Sequence, residues 1–385
     1  MTSSIPLPQE LTSPPGRINT PDTAQDHTLD RELPRIERFV STTLHARFTR
    51  PVRLVLLTDA NFEADASYGT AGVDAGHDQG ATYQALGLIN DAREWDASSA
   101  DSSDLLGYYQ DGSDVVVMRA GPDDPYRRGI LAHELTHALQ DQLYDLAALR
   151  RKAVTSDADD ALSGLVEGQA VAVEHAYRAS LTPAQRARYD AEEMSGPASH
   201  KAAGGHGDRA RGAALTGDDV LGLLLDFPYD YGVDFVNALE RKDGATAGEL
   251  FGAPPVTTLE VLDPYIYDDE RTAGLHHLPP LAPTVDPPPG RVALDRDTLG
   301  SFFLYAVLGR TTLDNDERSA ISDEWDGDAV VTWQQGDLMC ALWSVRAHDA
   351  EQVLRLRHDL SVFAKTRTGG SVSESGRTVS LTVCG

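Results

Sequence analysis

Two histidines four residues apart, His133 and His137, sit in a run of apolar residues, Ile130, Leu131, Leu135, Ala138 and Leu139. The spacing predicts a helix that starts at Pro125, where proline is tolerated, and runs to about Leu149. In such a helix both imidazoles lie on one face, one turn apart, with Glu134 beside them. A helix with that apolar surround buries its polar face against something. Buried polar groups need partners, so this pair constrains what must pack against it.

A second helix is predicted from about Asp159 to Ser180, with the acidic run Asp157-Ala-Asp-Asp160 where a helix N-terminus favours negative charge. It carries Glu167 between Val166 and Gly168, flanked by small residues that permit close packing. A carboxylate in so apolar a setting is costly to bury alone, and a metal ion answers both demands. Two neutral imidazoles, one carboxylate and an open position for water suit Zn2+. Glu134 is then placed to take a proton from a water attacking a carbonyl. Glu174, seven residues on and on the same face as Glu167, is the alternative ligand or an acceptor behind a ligand. His175 and Asp141 are weaker alternatives. The competing reading leaves His133 and His137 on a partly exposed helix, with Glu134 and Glu167 solvated.

The rest of the chain reads as mixed α+β. Helical periods run through 29–48 and 81–93, a buried strand covers Arg50 to Thr58, and a Gly/Asp-rich loop covers Ser67 to Gly80. Leu106 to Gln110 and Asp114 to Met118 form a predicted hairpin about Asp111-Gly112. The second of these strands offers a free edge to an extended peptide. Thr182-Pro183 starts a short helix. A helical unit from Asp218 to Arg241 is expected to break at Phe227-Pro228-Tyr229. In that turn Tyr231 and Tyr229 are candidates to donate a hydrogen bond to a developing oxyanion. Helices are expected at 295–308 and 348–363, with strands at 329–333, 339–345 and 378–384. Asp314 to Asp316 begins like a calcium loop, but Arg318 and a missing glycine spoil it.

Residues 1–27, rich in proline and polar residues, read as a disordered leader. Residues 28–283 form the expected core and 284–385 a C-terminal α+β subdomain, divided at the proline-rich stretch 277–291. The small-residue stretch 195–215 reads as a linker, and His206 within it as a loop residue. His276 and His277 read as surface residues.

The formal net charge of -27 repels phosphate and excludes a nucleic-acid partner. Lysine occurs only at Lys152, Lys201, Lys242 and Lys365; salt adaptation and genome base composition both account for that. No stretch approaches the roughly 18 apolar residues of a membrane span. The first 26 residues lack an apolar signal core, so the protein stays inside or the sequence has lost an export signal; an extracytoplasmic or secreted location is the expectation. Cys340 and Cys384 lie in predicted strands and form either one disulfide or two buried thiols. The oligomeric state is left open.

HELTH at 133–137 with EGQA at 167–170 resembles the gluzincin branch of metallopeptidases, where the glutamate of an EGxA-type motif is the third zinc ligand. GILAHELTHALQDQLYDL (129–146) with LSGLVEGQAVAVEHA (162–176) is similar, more narrowly, to a bacterial family of neutral zinc metallopeptidases. RPVRLVLLTDANF, LLGYYQDGSDVVVMRAG, FPYDYGVDFVNALE, PPVTTLEVLDP and WDGDAVVTW extend the likeness over residues 30–365. The resemblance implies a zincin-like core, zinc at His133, His137 and Glu167, Glu134 as base, and a peptide or protein substrate. Two departures stand out. Thermolysin-like enzymes carry an aspartate four residues after the third ligand to orient a zinc histidine; here Val171 stands there, so Asp159, Asp160 or Glu174 must serve. No GxMxN element for a substrate amine precedes the helix, which favours an endopeptidase. A catalytically silent zinc-binding scaffold of the same fold is the alternative, weakened because a structural site has no use for Glu134.

Overall fold

The computed structural model describes residues 28–69, 79–92, 105–195, 214–243, 246–273 and 285–385. The leader, most of the 195–215 linker with His206, His276, His277 and the expected boundary at 283/284 lie outside the described residues. What is described is mixed α+β, built on two sheets.

Helix α1 (Thr28–Thr43) buries Leu29, Ile36 and Val40 along one stripe and leads to strand β1 (Arg53–Leu57). Helices α2 (Asp59–Gly69) and α3 (Gln79–Leu86) follow, then strands β2 (Gly107–Gln110) and β3 (Val115–Arg119). The first sheet has the order β1-β3-β2, with β1 parallel and β2 antiparallel to β3. The predicted strand 114–118 is therefore the central one and offers no edge. Its residues, all apolar but Arg119, are buried throughout, as a strand covered on both faces requires. Among the described residues the strand with no neighbour on the side of the next helix is β2.

Helix α4 (Pro125–Tyr144) starts at Asp124, whose side chain accepts the Arg127 N–H, and Pro125 takes the first position. It is buried almost all round, as a core helix is. It stops at Asp145, five residues short of the predicted end, because Asp145 adopts a left-handed conformation with φ 52° and its N–H returns to Asp141 O. The same residue caps the short helix α5 (Leu146–Arg150) by accepting from Ala148 N. Thr155 caps α6 (Ser156–Ser180), so this helix begins three residues before the predicted start. Helix α7 (Pro183–Ser195) follows.

Helix α8 (Gly217–Asp243) corrects the expected break: it continues through Pro228. The lost hydrogen bond costs on the order of 3 kcal/mol. Burial of Val220, Leu223, Phe227, Phe235, Val236 and Leu239 along the helix outweighs it. Backbone contact with α6 fixes its course. A Cβ on Gly168 would lie 2.2 Å from the Gly232 carbonyl, and one on Gly232 would lie 2.1 Å from Gly164 O. Only glycine fits at this crossing, and the crossing fixes what the two helices present to each other.

Helices α9 (Ala247–Gly252), α10 (Thr258–Leu262) and α11 (Pro264–Ala273) complete the helical layer. The remainder comprises β4 (Asp295–Asp297), α12 (Gly300–Leu308), α13 (Asn315–Ser322), β5 (Trp325–Gln335), β6 (Leu338–Ala347), α14 (Ala350–Ala364), β7 (Thr368–Ser375) and β8 (Thr378–Cys384). The second sheet has the order β4-β5-β6-β8-β7. The predicted helix at 295–308 starts only at Gly300, since Asp295–Asp297 pair with β5. Asp314, read as the start of a spoiled calcium loop, instead caps α13 in a reciprocal pair with Glu317. Cys340 and Cys384 face each other across β6 and β8 and form a disulfide. The core beneath this sheet takes in Tyr83, Leu86, Leu88 and Val220 from earlier elements, so the C-terminal portion packs directly on the rest. No helix among the described residues is long and apolar enough to cross a membrane.

Candidate metal centre

Helix α4 brings His133 and His137 together with ring centroids 4.8 Å apart. Glu167 arrives from α6, and its Oε2 lies 3.2 Å from Nε2 of each histidine. His133 and His137 are buried and Glu167 is partly so. Bonds of about 2.0–2.1 Å at tetrahedral angles separate donors by about 3.3 Å, so both glutamate–imidazole distances suit three ligands of one ion. Among the described residues this is the one group of His, Cys, Asp or Glu donors close enough to share a metal.

Each histidine is braced at its other nitrogen. His133 Nδ1 is 3.4 Å from Glu174 Oε2, and Glu174 Oε1 accepts the Tyr189 hydroxyl. His137 Nδ1 is 3.0 Å from Gln140 Oε1, whose amide donates to Val166 O and Gln169 Oε1. A polar neighbour at Nδ1, hydrogen-bonded at His137 and in ion-pair contact at His133, orients each ring with Nε2 toward Glu167. Glu174 thus stands behind His133, on the side of the ring away from Glu167. Gln140 was legible in principle, lying one turn after His137. Tyr189 gave no signal, because its partner is set by tertiary packing.

Burial disfavours the charged imidazoles, but Glu167, with Glu174 at His133, outweighs it and holds both histidines above their ordinary range. Burial likewise works against the Glu167 charge, and the histidines overcome it, keeping its carboxyl well below the ordinary value. Glu134, 4% exposed, is pushed up by burial against the pull of the two histidines. It accepts the backbone N–H of Tyr109. Leu106 O accepts from Arg119 N, so by alternation residues 106, 108 and 110 face β3, while 107 and 109 face away from it. Strand β2 therefore runs beside Glu134 with its open edge.

The two tyrosines separate. The Tyr229 ring stacks 6.5 Å from His133, and the Glu167 charge, then burial, keeps its hydroxyl protonated far above the ordinary range. Tyr231 packs on Phe227 at 5.6 Å and Phe302 at 5.1 Å, and its hydroxyl pairs with Tyr305. Residues two apart on a continuous helix face different sides. The structure therefore brings Tyr229, and not Tyr231, to the cluster. Asp141 accepts from the Tyr109 hydroxyl at 2.8 Å, Gly112 N at 2.9 Å and Leu146 N at 3.2 Å, tying the hairpin to α4. His175 is exposed.

Comparison of this chain with protein-family models, with curated proteins and with solved structures finds no match.

Proposed function

We propose that this chain is a zinc-dependent peptidase of the gluzincin kind, holding the metal through His133, His137 and Glu167. The observation that carries the reading is the meeting of these donors at 3.2 Å, with the buried carboxylate of Glu134 on the same helix. The first sheet, α4 and α6 are then its zincin-like core. Zinc suits two imidazoles and a carboxylate with an open position. A bound zinc ion supplies Lewis acidity, polarising a carbonyl and making water easier to deprotonate.

The chain's own groups do the rest. Glu134 takes the proton of the attacking water at its carboxylate and passes it to the leaving amine. Its burial fits it for this, since a raised carboxyl is a stronger base toward the attacking water and holds the proton until the leaving amine takes it. Tyr229, kept protonated beside Glu167, donates to the oxygen on which charge develops. The outward backbone groups of Gly107 and the carbonyl of Tyr109, whose N–H is held by Glu134, give an extended peptide an edge to pair with. An open edge takes the middle of a chain as readily as its end, in keeping with an endopeptidase.

Metal analysis paired with peptide-library digestion tests the reading, using wild type and Glu134→Gln. We expect about one zinc per chain in both, chelator-sensitive cleavage by wild type, and its loss in the variant. A protein without zinc, indifferent to chelators, sinks the proposal. Zinc without cleavage in either protein favours the silent scaffold.

A further inference from the structure

We infer that Tyr189 and Glu174 form a positioning pair for His133, so that helix α7, which gives no ligand, sets how tightly the centre holds its metal. The inference rests on the metal-centre reading above. Glu174 lies seven residues after Glu167 on α6, and its Oε2 faces Nδ1 of His133 at 3.4 Å, opposite the nitrogen that faces Glu167. A carboxylate there keeps a proton on Nδ1 and makes Nε2 a better donor, but only while it holds its orientation. The Tyr189 hydroxyl supplies that orientation by occupying Oε1. With one oxygen held from α7, the other is fixed toward His133.

A phenol is a fitting partner for this task. It is neutral, so it directs the carboxylate without cancelling the charge that acts on His133, as an arginine in its place would. The ring itself is held firmly. Tyr189 is 1% exposed and meets Tyr126 edge-on at 5.2 Å. It also lies over Gly129, where a Cβ would sit 2.7 Å from the ring. Gly129 is one turn before His133 on α4, so the helix that carries the ligand also makes room for the residue that braces it. His137 is braced differently, by the neutral Gln140, which is held from α6 alone. Both histidines are thus backed from α6, and His133 alone is also reached, through Glu174, from α7.

The test is zinc titration of the metal-stripped full chain against a chromophoric chelator, for wild type, Tyr189→Phe, Glu174→Gln and the double variant. Phenylalanine keeps the ring against Gly129 and Tyr126, so thermal unfolding of the stripped proteins serves as the fold control. We expect about a 10-fold loss of zinc affinity in Tyr189→Phe and about 10–100-fold in Glu174→Gln. The double variant should be no weaker than Glu174→Gln, because Tyr189 acts only through Glu174. Unchanged zinc affinity in Tyr189→Phe overturns the inference, and so do losses that multiply in the double variant. Failure of wild type to bind zinc is a separate result, which removes the metal-centre reading itself.

Discussion

Helix α6 takes part in two buried groups of ionisable side chains, and they are stabilised in opposite ways. At its middle, Glu167 and Glu174 face imidazoles, and Glu167 keeps its charge. At its N-terminus, Asp157 meets Asp297 from β4 and Asp328 from β5, and the partners seen there are neutral. Asp157 Oδ1 accepts from the Thr258 amide and hydroxyl, both at 2.7 Å. Asp297 accepts from the amides of Ser156 and Thr298 at 2.9 Å and 2.7 Å. Asp328 accepts from Leu299 N, Gly300 N and the indoles of Trp325 and Trp343 at 2.9 to 3.1 Å. Burial, reinforced by the neighbouring aspartates, pushes Asp157 up to about 7 and Asp328 up to about 6. A buried carboxyl is held below its ordinary range where imidazoles face it and pushed above it where amides, hydroxyls and indoles do. The first arrangement is suited to chemistry, the second to joining the C-terminal sheet to the helical layer.

That contrast can be broken in several ways. The largest effect is expected at the first group: Glu167→Ala should lose zinc affinity by well over the roughly 100-fold that a supporting residue commands, while unfolding stays cooperative. Chelator competition and urea melts measure both; a variant that binds zinc as wild type does would show that Glu167 is not a ligand. At the second group, Asp328→Ala leaves the donors of Leu299, Gly300, Trp325 and Trp343 buried without their acceptor. We expect a loss on the order of 4 kcal/mol in urea unfolding, at about 1–3 kcal/mol per orphaned group with partial relief by water. Zinc bound per folded molecule should not change.

Tyr229→Phe sharpens the comparison within the first group. It should lower kcat about 100-fold with zinc content intact, whereas Tyr231→Phe should leave kcat within a few-fold. Equal losses in the two variants would return Tyr231 to the site. The smallest effect is in pH dependence. Asp157 and Asp328 bind protons more tightly folded than unfolded, so their contribution to stability is full below about pH 4 and is lost as pH rises through 6 to 7. The urea midpoint should therefore fall between pH 5 and pH 8, and Asp157→Asn should flatten that fall. An Asn variant with the wild-type slope would place the titration elsewhere.

Much of the local structure was written in the chain. Pro125 marked the start of α4, and the His133–His137 spacing put both rings on one face whatever packs there. Glu167 stood out because a carboxylate among small apolar residues needs a partner. The strands at Cys340 and Cys384 were legible from their alternation, although their pairing was not. Strand β7 was missed because its face is polar and exposed, which removes the alternation that marks a half-buried strand.

The remaining decisions belong to tertiary structure. Pro228 is a helix breaker by local rules, yet burial on both sides of it and the Gly168–Gly232 contact keep α8 continuous. That continuity, and not the tyrosines themselves, turns Tyr229 toward His133 and Tyr231 away. The outer position fell to β2 rather than β3 because strand order depends on long-range pairing with β1. Tyr189 reaches Glu174 only because α7 folds back across Gly129. The sequence by itself determined which side chains can share a helix face, since a 3.6-residue period is local geometry. Which faces meet was decided by packing, where glycine contacts and buried area outweigh local preference.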